Sequence, residues 1–204
     1  MKRLPISLCA VLASGCFGAA KPVEFYTLRP VASVGTPAPA SSAGLGIAVG
    51  PIQLPKYLDR PELVLRDGDH RLEIDEWHRW GGSLRTDILR VVADDLGTLL
   101  DTSRIAVYPA EPRFALDYRI LLDVHEFEGT LGKSLRLRVY WSVLAGDATK
   151  AVDVEASVVE QPVASESWAD FVTAYSTALG TVTQEIAARL RTLETHKPSP
   201  ARRR

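Results

Sequence analysis

The chain has 204 residues, with 24 Lys+Arg against 25 Asp+Glu for a net charge of −1, and it is 46% hydrophobic and 24% charged. That is the composition of a folded domain, and it excludes a mainly disordered chain, a collagen-like repeat and a polytopic membrane protein. The balanced charge also argues against a general nucleic-acid binder, which carries a basic excess.

The N-terminus has the layout of an export signal. Lys2 and Arg3 precede the apolar, uncharged stretch Leu4–Ala13, which is too short to span a bilayer. It ends in Leu12-Ala13-Ser14-Gly15-Cys16, small residues running up to a cysteine. A lipoprotein signal peptidase needs small side chains beside the cut, and the exposed thiol then receives lipid. Residues 1–15 are therefore expected to be a lipoprotein signal peptide and Cys16 the lipidated residue, heading a single periplasmic domain over 16–204. Cys9 leaves with the signal and Cys16 is blocked, so the mature chain has no disulfide. Its charge is 22 Lys+Arg against 25 Asp+Glu, or −3. Two or three acyl chains anchor stably where one does not. Phe17, and not Asp, follows the cysteine, which favours the outer membrane.

Along the mature chain, the alternation around Phe25-Tyr26-Thr27-Leu28 predicts a strand over 23–29. Residues 30–43 are rich in Pro, Ala, Ser and Gly and are expected to form a tether or a loop, the tether being the reading that gives the body reach. The main body, 44–193, opens with a strand over Leu45–Val49. Glu62–Leu65 and Arg71–Ile74 follow as a hairpin around Asp67-Gly68-Asp69. Leu84, Ile88, Val91, Val92, Leu96, Leu99 and Leu100 recur at helical spacing and predict a helix from about Ser83 to Leu100. Arg104–Tyr108, Leu116–Val124, Leu135–Val143 and Ala151–Val159 are strands, the middle two alternating apolar with charged residues. A last helix begins near Ser167 and carries an unbroken stripe from Trp168 to Leu190. Residues 194–204, ending in Arg202-Arg203-Arg204, are expected to be a disordered basic tail. The order gives an α/β (or α+β) single domain: a mixed, mostly antiparallel sheet with two amphipathic helices packed on it.

No active site assembles from these residues. Gly129-Thr130-Leu131-Gly132-Lys133-Ser134 has two residues between its glycines where a phosphate loop needs four, and a strand follows where a helix should. His70, His78, His125 and His196 lack metal-ligand spacing, and Ser83 and Ser134 lack a nucleophile elbow. Asp94 and Asp95 are adjacent on a helix and so diverge by about 100°. Asp75-Glu76-Trp77-His78-Arg79-Trp80 is expected to be a polar loop on a hydrophobic seam. The chain is taken as a non-enzyme without metal or cofactor.

The run Gly50-Pro51-Ile52-Gln53-Leu54-Pro55-Lys56-Tyr57-Leu58-Asp59-Arg60-Pro61, followed by Val64, Arg66 and a Trp before the helix, resembles the PqiC/YmbA-type family of ABC-type transport auxiliary lipoproteins. The resemblance extends to Phe25-Tyr26-Thr27-Leu28, to Glu126-Phe127-Glu128-Gly129 with Trp141, and to Ile186-Ala187 of the last helix. It departs at His78-Arg79-Trp80-Gly81-Gly82, where the family places small or acidic residues and a Pro. The resemblance implies a lipid-anchored auxiliary component of an ABC transporter whose periplasmic partner carries MCE domains, docking that partner's tube or ring at the outer membrane. It also leaves room for a homo-oligomer. An independent lipid- or cell-wall-binding lipoprotein is the alternative. Within the run, Pro55 and Pro61 fix the backbone of a loop, and Tyr57, Asp59 and Arg60, with Trp77, are the candidates for partner contact or for pinning that loop.

Overall fold

The computed structural model describes residues 21–31, 44–146 and 148–196. The expected signal peptide, Cys16, most of the 30–43 segment and most of the basic tail lie outside these residues. Among the described residues the order is β1 (Glu24–Tyr26), β2 (Ile47–Gln53), β3 (Glu62–Asp67), β4 (Arg71–Trp80), α1 (Leu84–Leu100), β5 (Ile105–Val107), β6 (Tyr118–Gly129), β7 (Ser134–Ala145), β8 (Ala151–Pro162) and α2 (Trp168–Thr195). The last helix thus runs through residues 194 and 195, which the sequence assigns to the tail.

The strands form one mixed sheet, as expected. Its long ladders are antiparallel, with β6 pairing β7, β7 pairing β8, and β3 pairing β4. Parallel pairings join β1 to β4 and place β2 between β5 and β6. β3 meets β6 only at Leu65 and Gly129. One path across the sheet therefore runs β8-β7-β6-β3-β4-β1, with β8 and β1 at its two ends.

Period-two alternation selects the buried face. Tyr118, Ile120, Leu122 and Val124 of β6 and Leu135, Leu137, Val139, Trp141 and Val143 of β7 all enter the core. Against them lies the α2 stripe of Phe171, Tyr175, Leu179, Val182, Ile186 and Leu190. Ser167 caps α2 by accepting the Asp170 N–H at 3.1 Å, satisfying one of the free donors of the first turn. α1 ends at Asp101, which adopts a left-handed conformation at φ 49°.

The structure corrects two expectations. Asp75–Trp80 is the second half of β4 and not a loop. His78 and Trp80 turn inward while Trp77 and Arg79 turn outward, and the register with β3 shifts between Ile74 and Arg79, so Glu76 stays exposed despite sharing the parity of His78. His78 stacks on Trp168 of α2, with ring centroids 4.2 Å apart and planes at 18°. The second correction concerns reach. Beyond β1, the Arg29 N–H donates to Ser176 Oγ of α2 and the Val31 N–H to Asp95 Oδ1 of α1, both at 3.1 Å. A Cβ at Gly180 would collide with Val31, so this helix accepts the crossing chain only with glycine there. At the far end of the Pro/Ala/Ser-rich segment, Arg104 holds Gly44 O and Thr102 holds Leu45 O, each at 2.9 Å. Residues 32–43 thus join two points fixed on the body. They add nothing to the distance between Cys16 and the fold.

Candidate functional site

The Pro-rich run follows β2 and turns back over itself, with the Leu58 and Asp59 N–H groups donating to Pro55 O at 2.9 and 3.2 Å. Leu58 is buried beneath it. Each candidate polar side chain of the run has a partner within the chain. The Tyr57 hydroxyl donates to Glu128 Oε2 at 2.9 Å. Asp59 Oδ2 accepts from Arg85 Nη2 at 2.8 Å, and the same guanidinium also donates to Ile52 O. Arg60 Nε donates to Glu62 Oε2 at 2.9 Å, and Arg79 lies 3.7 Å from the other oxygen of that carboxylate. The Arg60 hydrogen bond leads the causes that hold the Glu62 carboxyl below its ordinary range.

Glu128 is the centre of this arrangement; sequence reasoning named it only within the Glu126–Gly129 stretch and gave it no role. It is 4% exposed, yet it accepts from Tyr57, from Arg66 Nη2 at 2.5 Å and from the Phe127 N–H at 2.7 Å. Such a carboxylate is buried with its lone pairs occupied, which is the condition for burying a charge without large loss. Burial, and after it the charge and hydrogen bond of Glu128, push the Tyr57 hydroxyl well above its ordinary pKa. The Glu128 hydrogen bond chiefly raises Arg66. The signal that could have found Glu128 is the spacing of buried Val124 and Phe127, an odd interval that strict alternation forbids. A register shift between Val124 and Glu126 makes it possible and turns Glu128 under the loop.

Trp77 is 36% exposed on the outward side of β4. It shares a groove of ≈ 480 Å³ with Val23, Arg60, Glu62, Ile74 and Arg79. The structure therefore brings Arg60 and Trp77 to one place, whereas Tyr57 and Asp59 are held by partners elsewhere. Behind Trp77, Asp75 Oδ1 accepts the N–H groups of Trp77 and His78 at 2.8 Å and lies 2.7 Å from His78 Nδ1. Burial works to raise the Asp75 pKa, but these contacts outweigh it and the carboxyl sits low.

The other end of the strand path differs. Val152, Val154 and Val158 of β8 and Tyr140 of β7 project from the face away from the helices, with Val154 62% exposed. Val154 stands opposite Ser142, and Val158 opposite Arg138. The opposite face of β8 is tied to α2: Asp153 binds Arg189, and Ser157 accepts from Trp141 Nε1 at 2.9 Å while donating to Glu185. Among the described residues β8 pairs only with β7, on one of its two edges. Among the described residues no three His, Cys, Asp or Glu side chains could hold a metal, and no helix is long and apolar enough to cross a membrane.

These features define an α/β sheet-and-helix domain with one tightly pinned loop and exposed apolar side chains near both ends of the strand path. The chain belongs to the family of ABC-type transport auxiliary lipoprotein components, whose model matches residues 26–187. Two solved structures share the fold at a TM-score of 0.67. One is a Xanthomonas campestris protein of the DUF330 family, 16% identical, over 87% of this chain and 99% of that one. The other is an uncharacterized protein, 13% identical, over 83% of this chain and 99% of its own. Among curated proteins none matches the chain.

Proposed function

We propose that this auxiliary lipoprotein is held by lipid on Cys16 at the periplasmic face of the outer membrane. There it docks the MCE-domain component of an ABC-type lipid transport system without catalysing a reaction. The observation that carries this reading is the family match across nearly the whole folded body, headed by Leu12-Ala13-Ser14-Gly15-Cys16. The fold supports it by dividing the labour along the sheet. β1 follows closely on Cys16, while β8, at the other end of the strand path, offers an open edge and the valine row to the MCE component. Main-chain groups of an open edge and alternate apolar side chains together suit addition of a partner strand.

The test is Cys16→Ser in cells that make the MCE protein. The wild type is expected in the outer-membrane fraction with an acylated Cys16 by mass spectrometry, and to co-purify with the MCE protein. The variant should be unprocessed or released to the periplasm. An unmodified mature N-terminus at another residue would sink the anchor. An anchored protein that ignores the MCE component, or that binds lipid or cell wall by itself, would sink the docking role.

A further inference from the structure

The margin of the sheet beside the anchor carries its own apolar surface. Phe25 of β1 is 67% exposed and stands in register with Arg79 of β4, on the outward side. Val23, Ile74 and Trp77 are also exposed and line the adjoining groove. Two aromatics and two branched aliphatics therefore lie on or just ahead of the last two strands of the path, where among the described residues β1 pairs only with β4.

The length of chain ahead of β1 says what covers them. Only residues 17–23 separate Cys16 from Glu24. Fully extended, that stretch reaches about 25 Å, and as a random coil about 14 Å. The segment 32–43 cannot lengthen it, because Val31 is fixed to α1 and Gly44 to Arg104. With the acyl chains of Cys16 in the bilayer, the β1 end of the sheet stays within a few residues' length of the head groups. The chemistry of the surface agrees with that position. Trp and Phe settle at membrane interfaces, and arginine stems accompany them. The charges cancel, since Arg60 and Arg79 share Glu62 and Glu76 stands beside them. A surface built this way attaches through apolar side chains and not through attraction to anionic lipid.

We infer that the β1–β4 margin, through Val23, Phe25, Ile74 and Trp77, seats in the head-group layer of the membrane that holds Cys16, fixing the orientation of the body. This rests on lipidation of Cys16. The test uses the full acylated chain reconstituted in phosphatidylethanolamine/phosphatidylglycerol vesicles with and without brominated acyl chains. Trp80 and Trp141 are buried and Trp168 is half-buried against His78, so Trp77 is the most exposed tryptophan, and the Trp77→Phe difference isolates its signal from that of Trp168. Brominated lipid should quench part of the tryptophan emission, the quenching should be lost in Trp77→Phe, and raising the salt should leave it unchanged. A nitroxide on Phe25→Cys should be shielded from aqueous relaxant, and one on Val154→Cys should not. With Cys16 shown to be acylated, unquenched Trp77 overturns the seating and leaves the anchor standing. Shielding of position 25 that also occurs in dilute detergent and tracks protein concentration overturns it in favour of a second copy. An unacylated Cys16 overturns the anchor and the seating together.

Discussion

The two margins of β6 are built on opposite principles. On one, the loop 54–61 lays Tyr57 on Glu128, Asp59 on Arg85 and Arg60 on Glu62, so each polar group that the sequence offers for recognition is already engaged inside the molecule. On the other, β7 and β8 extend the sheet to an edge that no other described strand pairs, and the outward side chains of β8 include Val152, Val154 and Val158 beside Ala156 and Glu160. Edge strands of soluble proteins are usually guarded by charge. Here Asp153 turns toward Arg189 of α2, so that charge guards the helix seam, and the outer face keeps its charges at the Arg136, Arg138 and Glu160 end while Val152 and Val154 occupy the other. A dense, polar, specific-looking motif is thus spent on internal order, and a plain alternating strand is left available. Motif density in a sequence marks what is hard to fold as readily as what is used to bind.

The comparison breaks hardest at Glu128. Glu128→Leu leaves the Tyr57 hydroxyl and the Arg66 guanidinium without their common acceptor. Arg66 is partly exposed and water can replace some of what it loses, so about 2–4 kcal/mol is expected. In a domain of this size that lowers Tm by roughly 5–12 °C, read by thermal denaturation. A melt unchanged within error would mean that the loop is not held from below. Partner binding by the folded fraction should survive.

Tyr57→Phe removes one donor and nothing else, and about 1 kcal/mol is expected from the same melts. It also sharpens a pH dependence. The Tyr57 pKa is raised in the fold above its ordinary value of 10.0, first by burial and then by Glu128. As pH climbs past that value the unfolded chain gives up the proton while the folded chain keeps it. The stability from this group is therefore full below pH 10.0 and declines above it. Tyr118 and Tyr175 are raised too, chiefly by burial, so the variant should keep a shallower decline and not a flat one. Equal slopes in the two proteins would detach Tyr57 from the buried carboxylate.

Most of the architecture was legible because it is written in local period. The stripes of α1 and α2 and the alternation of β6 and β7 depend on neighbours a few residues away. What escaped depends on distant partners. Asp75–Trp80 resembles a polar loop until His78 is known to stack on Trp168, far along the chain. Glu128 resembles a solvated strand residue until the shift after Val124 carries it beneath Tyr57. The composition of residues 30–43 suggests reach, but Ser176 and Asp95 fasten the chain just before it, and no local feature announces those two contacts.

The smallest effect per residue on stability tests the β8 margin most sharply. Val152, Val154 and Val158 gain little from folding, since each stays more than half exposed. Replacing all three by Ser should therefore change stability by less than about 0.5 kcal/mol each, the usual range for surface sites. The main-chain ladder to β7 is untouched, so the fold and its melt should be nearly those of the wild type. If β8 is the docking edge, the same variant should lose co-purification with the MCE component, because the apolar side chains that flank the added strand are gone while its hydrogen-bonding edge remains. A control at Tyr57 or Asp59 should do the reverse, lowering Tm while sparing capture by the folded fraction. Retained capture in the triple variant would move docking away from β8, and a change of oligomeric state in place of lost capture would assign that edge to further copies of this chain.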